Sequence, residues 1–160
     1  MKSLKLLIIS MVAVLLLTSS VSAYDQKVIG DYVITSGYDL DLTETQTFIA
    51  NSQSSLKSDS YSIIEGQSRI HVFNPGHSCR RVIIDIDWSD KNNELRLDVE
   101  SPDTIYGPFY DGIDGQVDGR IYISISKSSG GYLSEGDWAN IIHGESISGT
   151  EYYNYAVYLK

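Results

Sequence analysis

The chain has 160 residues with 12 basic and 21 acidic side chains, a net charge of −9 at neutral pH. Such a surface repels nucleic-acid phosphates and anionic lipid, so neither is an expected partner. Only one cysteine is present, Cys79, so an internal disulfide is excluded and the fold must be held by its core, by a bound ion, or by both.

The N-terminus reads as an export signal. Lys2 and Lys5 precede an apolar run from Leu6 to Leu17 interrupted only by Ser10, and Val21-Ser22-Ala23 places small residues before a cut. That run is about 12 residues, short of the ~20 a membrane span needs. Residues 1–23 are therefore expected to be removed. Residues 24–160 should form one soluble domain, secreted or held at the cell envelope, with no membrane insertion after cleavage. The signal holds two bases and no acids, so the charge becomes −11 without it.

From Tyr24 onward the periodicity is that of strands. The segment Tyr24–Thr45 is hard to read: either an added edge strand or a loose arm, with Tyr32–Thr35 as a weak strand in it. Further weak strands fit Gln46–Ala50, Ser60–Ile64 and Arg69–Phe73, with a polar, Ser-rich Asn51–Ser60 loop between. After the Asn74-Pro75-Gly76 turn, Val82, Ile84, Ile86 and Trp88 share one strand face, with Arg81, Ile83, Asp85 and Asp87 on the other. Leu95, Leu97 and Val99 alternate with Glu94, Arg96, Asp98 and Glu100. Ile121, Ile123 and Ile125 form a third apolar face. Trp138–His143 gives another strand, and Tyr153, Tyr155, Val157 and Leu159 a last one. Turns fit Ser89–Asn93, Ser128–Gly131 and Gly144–Gly149. About nine short strands of period two predict an all-β, antiparallel β-sandwich, jelly-roll-like in type. Trp88 and Trp138 are expected in its core, one from each sheet.

Two stretches concentrate oxygen ligands: Asp85, Asp87, Asp90, Asn92 and Asn93, and the run Asp111–Gly119 with Asp111, Asp114 and Asp118 before or among glycines. Calcium takes six to eight hard oxygens on tightly bent loops. Asp111, Asp114 and Asp118, with Asp87 or Asp90, are the candidate metal ligands and Ca²⁺ the candidate ion; the competing reading is ordinary solvated Asp-Gly turns. His77 and Cys79 lack a third partner for nucleophilic or metal chemistry, and His71 and His143 read as ordinary strand residues. Without a G-x-S-x-G elbow, an H-E-x-x-H motif or a phosphate loop, no catalytic residue is assigned and the chain is expected not to be an enzyme. Its twelve tyrosines fit either a core with half-wet strand faces or an exposed platform for sugars or proteins.

From about Glu65 to Leu159 the order of short motifs is distinctive. Gly66-Gln67 and His71-Val72-Phe73 lead to Ile84-Asp85-Ile86-Asp87-Trp88 and to Asn93–Asp103, which ends in Ser101-Pro102-Asp103. Tyr110-Asp111, Gly119-Arg120-Ile121, Gly136-Asp137-Trp138 and Gly144–Gly149 follow before the Tyr-rich end. This order resembles the pre-peptidase C-terminal domain and the related P-domain of proprotein convertases, and looks closest to free-standing versions in exported archaeal proteins. The resemblance implies a jelly-roll-like sandwich without catalytic residues. Some relatives bind calcium in acidic loops, and some help a neighbouring protease fold or find substrate. Asn140 departs from the pattern, standing where an apolar residue is expected between Trp138 and Ile142.

The leading expectation is a secreted, non-enzymatic binding or structural module that is calcium-stabilised and works on an extracellular protein or glycan. Two alternatives stand beside it. A protease accessory or small hydrolase with a carboxylate site would gather its acids in one cleft. A tyrosine-faced carbohydrate binder would expose several coplanar rings.

Overall fold

The computed structural model describes residues 25–37 and 56–160. The signal segment and the Gln46–Ala50 strand lie outside these residues. Among the described residues there are ten strands: β1 (Asp25–Ile29), β2 (Tyr32–Ser36), β3 (Leu56–Ile63), β4 (Ser68–Phe73), β5 (Arg81–Trp88), β6 (Glu94–Glu100), β7 (Ile105–Tyr110), β8 (Arg120–Lys127), β9 (Trp138–Ser146) and β10 (Glu151–Leu159). They form a six-stranded sheet, β1-β2-β8-β5-β10-β3, and a four-stranded sheet, β4-β9-β6-β7. Every pairing is antiparallel. The chain is an all-β sandwich, as its alternation requires.

The order of the last eight strands is that of a jelly roll, with β3-β10-β5-β8 on one side and β4-β9-β6-β7 on the other. Ring contacts fix how the layers face. Tyr61 of β3 meets His71 of β4 at 4.5 Å, and at the far side Tyr32 of β2 meets Tyr106 of β7 at 5.3 Å. Residues 24–45 were the least legible part, and the described portion proves to be an added edge hairpin. Gly30 turns with φ +57°, Ile29 pairs Tyr32, and β2 docks on β8 through Val33↔Ser126.

The expected inward faces are the core. Val82, Ile84, Ile86 and Trp88 are buried with Leu95, Leu97, Val99, Ile121, Ile123, Ile125, Trp138 and Val157 in one cluster. Trp88 belongs to the large sheet and Trp138 to the small one. Three details differ from the sequence reading. β3 begins at Leu56 rather than Ser60, because pairing with β10 overrides the polar composition. β9 continues through Gly144 to Ser146. β7 carries Gly107-Pro108, breakers that hide it from a strand reading. It is an edge strand of its sheet, where proline is tolerated. Gly107 has φ +124°, and a Cβ there would come within 2.7 Å of Asp98 Oδ1 and 3.0 Å of the Leu97 carbonyl.

Candidate functional site

The two acidic stretches come to one end of the sandwich, where Trp88 N–H donates to the Gly119 carbonyl at 2.8 Å. Their carboxylates are largely used. Asp85 is not a loop ligand: it lies on β5 and takes a bidentate pair from Arg120, at 2.7 and 2.8 Å. Asp90 accepts from the Asn92 backbone N–H and closes its own turn. Asn93 is buried, donating to the buried Glu151 at 2.5 Å and accepting from Ser148 N–H. Asp87 is exposed at the end of β5. In the β7–β8 loop, Asp111 accepts from Asp118 N–H and Gly119 N–H at 3.1 and 2.9 Å, and Asp114 Oδ1 accepts from Gln116 N–H. Asp114 Oδ2 is buried without a hydrogen-bond partner. Among the described residues, no three acids, histidines or cysteines converge as a metal-holding group.

The Ser101-Pro102-Asp103 corner is a fastening point. Ser101 Oγ donates to the Thr104 carbonyl and accepts from the Asp103 and Thr104 N–H groups. Asp103 Oδ2 accepts from Tyr32 OH at 2.5 Å and from Ser134 Oγ. The β6–β7 turn is thus tied to β2 and to the β8–β9 loop. These two bonds, Ser134 first, hold the Asp103 carboxyl below its ordinary range.

Cys79 is buried and its thiol donates to the Arg81 carbonyl. Burial raises its pKa, which keeps it a thiol and unreactive. His77 is exposed and pairs with Glu135 at 2.7 Å, so the two are not a working pair. The tyrosines divide. Tyr32, Tyr106, Tyr153 and Tyr155 are buried. Tyr132 and Tyr152 are exposed, but Arg80 lies 4.4 Å over the Tyr132 ring. A coplanar exposed platform is not formed among the described residues.

Inside the sandwich, His71 stacks on Tyr155 at 4.1 Å and its Nε2 lies 3.0 Å from Tyr153 OH. Asn140, the residue that departed from the apolar pattern, is fully buried here. Its amide donates to Tyr155 OH at 2.7 Å, while its Oδ1 has no partner. The strand is not displaced; the amide is accommodated by a tyrosine from the facing sheet.

The outer face of the four-stranded sheet holds what the sequence did not disclose. β4 is an edge strand, and Ile70 and Val72 are 64% and 63% exposed on it, opposite Ile141 and Ala139 of β9. On the same face Ser68 Oγ lies 2.7 Å from His143 Nδ1. His143 Nε2 lies 3.2 Å from Asp98 Oδ2. Arg96 pairs with Asp98 and Glu145 at 3.2 and 3.0 Å. His143 therefore does not stand alone. Arg96 and Asp98 were legible as outward on their strand, but Ser68 lay outside the expected Arg69–Phe73 strand and Glu145 in the expected Gly144–Gly149 turn, and the order β4-β9-β6 that joins them is a tertiary fact.

No family model matches the chain, and no curated protein does. Among solved structures, the CspB protease of Clostridium perfringens is similar to it at a TM-score of 0.46 and 16% identity, over 64% of this chain. This chain spans only 25% of that protease's length.

Proposed function

We propose that this chain is an exported, non-enzymatic module of the pre-peptidase C-terminal kind, and that it binds an extended segment of an extracellular protein along β4. The observation that carries the reading is the strip of Ile70 and Val72 on a sheet edge. An exposed apolar strip on a sheet-edge strand is a template for strand addition. Charge selects the occupant. Asp98 and Glu100 lie opposite Ile141 and Ala139, and Arg96 is already neutralised by Asp98 and Glu145. The face is net acidic, so the segment it suits alternates apolar with basic residues. The pattern at residues 1–23 supports a site of action outside the cell or in its envelope.

The test is binding of a labelled peptide of alternating valine and lysine, followed by fluorescence anisotropy. It should bind wild type, weaken with salt, and lose affinity for the Ile70→Lys/Val72→Lys variant. Equal binding of a valine–glutamate peptide would overturn the charge argument. Equal binding by the variant would overturn the location.

Calcium enters this proposal through Asp114. Its buried, unbonded Oδ2 is costly as it stands and would be relieved by a cation that also used backbone oxygens of the β7–β8 loop. Millimolar calcium should then raise the melting temperature relative to chelator. The stabilisation follows RT ln(1 + [L]/Kd), about 2.7 kcal/mol at a hundredfold excess over Kd. Asp114→Ala should abolish the rise. An unchanged melting temperature in wild type would remove calcium from the proposal.

A further inference from the structure

Ser68, His143 and Asp98 make a hydrogen-bonded relay whose direction can be worked out. Asp98, ionised, only accepts hydrogen bonds, so in the neutral imidazole the proton sits on Nε2 and points at Asp98 Oδ2, 3.2 Å away. Nδ1 is then the basic nitrogen, and at 2.7 Å it accepts from Ser68 Oγ–H. A hydroxyl, a base in reach and a third group orienting that base is the arrangement that activates a serine. The roles of the two ring nitrogens are exchanged relative to the usual serine-hydrolase triad, but the chain of donors and acceptors is the same.

The parts are held by the sheet. Ser68 and His143 are directly opposed on β4 and β9, and His143 opposes Arg96 on β6. Asp98 is pinned from two sides: Arg96 Nε reaches Oδ2 at 3.2 Å, and the Gly107 backbone lies against Oδ1 so closely that a Cβ would not fit. The groups facing His143 are Ser68 from β4, Arg96 and Asp98 from β6, and Glu145 two residues along β9. Ser68 is exposed, whereas the side chains of His143 and Asp98 keep only 25% and 22% of their exposure. The nucleophile meets solvent and its supports are largely covered. Ile70 and Val72 continue the row that begins at Ser68, with Ile141 beside them.

We propose that Ser68 is a covalent acyl-acceptor site for activated esters of apolar acyl groups, with His143 as its base and Asp98 as the residue that positions His143. The serine oxygen attacks the ester carbonyl and forms the Oγ–C bond, and its proton passes to His143 Nδ1. The tetrahedral adduct expels the alcohol, which takes that proton as the C–O bond breaks. The acyl chain lies along Ile70, Val72 and Ile141. On an open face water stabilises the oxyanion instead of fixed donors, so one acylation per chain is expected and the acyl group stays on Ser68. The acyl chain would share Ile70 and Val72 with the docking strip, but the acylated group and its supports, Ser68, His143 and Asp98, are other residues.

The experiment treats the protein with p-nitrophenyl acetate and p-nitrophenyl hexanoate, follows nitrophenolate release, and maps the acyl group by peptide mass spectrometry. One equivalent should be released, with the acyl group on Ser68. Ser68→Ala should abolish the burst, and His143→Ala should slow it by about 10²–10⁴-fold, the range of general-base assistance. Asp98→Asn offers an N–H to Nε2 and moves the ring proton to Nδ1. It should slow acylation and flatten its pH profile while leaving the melting temperature near wild type; Asp98→Glu should restore part of the rate. The Ile70→Lys/Val72→Lys variant should erase any preference for hexanoate over acetate. A burst that survives Ser68→Ala would place the nucleophile on the imidazole and overturn the proposal. Acyl groups scattered over lysines and other serines, or Ser68 labelling indifferent to His143→Ala, would also overturn it. Neither result touches peptide docking, which is read separately.

Discussion

The two faces of the β4–β9 pair carry the same chemistry and put it to opposite uses. On the inner face His71 is stacked against Tyr155, within 3.0 Å of Tyr153 OH and beside the buried Asn140. On the outer face His143 lies between Ser68 and Asp98. Burial lowers the pKa of His71, with Arg69 adding to the effect, so His71 is kept neutral inside the sandwich. His143 has a carboxylate on one nitrogen and a hydroxyl on the other. Period-two alternation alone sends one histidine in and the other out. The inner face supplies stability and the outer face keeps its reactive and apolar groups available.

The sharpest way to break this division is to attack the inner face at its largest member. Trp138 opens β9, is fully buried, stacks on Tyr106 and donates its indole N–H to the Ser134 carbonyl at 3.0 Å. Trp138→Ala should cost about 3–5 kcal/mol, read as a fall in denaturation midpoint. An unchanged midpoint and slope would mean that the inner face does not hold the sandwich together. A smaller loss is expected from Tyr155→Phe. The ring stays, but the Asn140 amide loses its partner at 2.7 Å, so the cost should be about 1–3 kcal/mol for a buried donor left unsatisfied. Restoring stability with Asn140→Leu in the Tyr155→Phe background would show that the hydrogen bond, not the strand path, is what the pair maintains.

The sandwich was legible in the sequence because alternation survives wherever one strand face is dry. β5, β6 and the apolar row of β8 follow their sequence pattern residue by residue. Neighbouring strands made the difference elsewhere. Ile83, Tyr122 and Ser124 point away from the core yet are buried, and Ile83 has Ser124 on one side and Tyr158 on the other. β7 was obscured by Gly107-Pro108, and the Asp98 and Leu97 contacts that require the glycine come from another strand. The acids of Asp111–Gly119 could be identified as oxygen donors, but not the backbone N–H groups that two of them satisfy. For Ser68, His143 and Asp98 the sequence carried no spacing at all, because a relay across three strands is defined by sheet order.

The smallest expected effect is a pH dependence that separates the two histidines. His71 has a folded pKa below its ordinary 6.5 because the charged form is desolvated. Between that folded pKa and 6.5 the unfolded chain binds more protons than the folded one, so stability rises with pH across the window. The contribution is complete above the unfolded pKa, and acidification through 6.5 withdraws it until the folded pKa is reached. His71 is only half buried, so the slope is shallow. Asp103 titrates elsewhere: its depressed carboxyl adds stability above the unfolded pKa of 3.8, lost as pH falls through the folded value. Melting curves from pH 7.5 to 5 therefore leave Asp103 out, but His77, whose pKa Glu135 raises, opposes the trend there, so the comparison is made in a His77→Gln background. His71→Gln should be less stable overall but should flatten the dependence in this window, whereas His143→Gln should leave the part due to His71 in place. In the His77→Gln background, a melting temperature that does not fall on acidification, or one that falls equally when His71→Gln is added, would show that burial does not hold His71 below its ordinary pKa and would erase the distinction between the two faces.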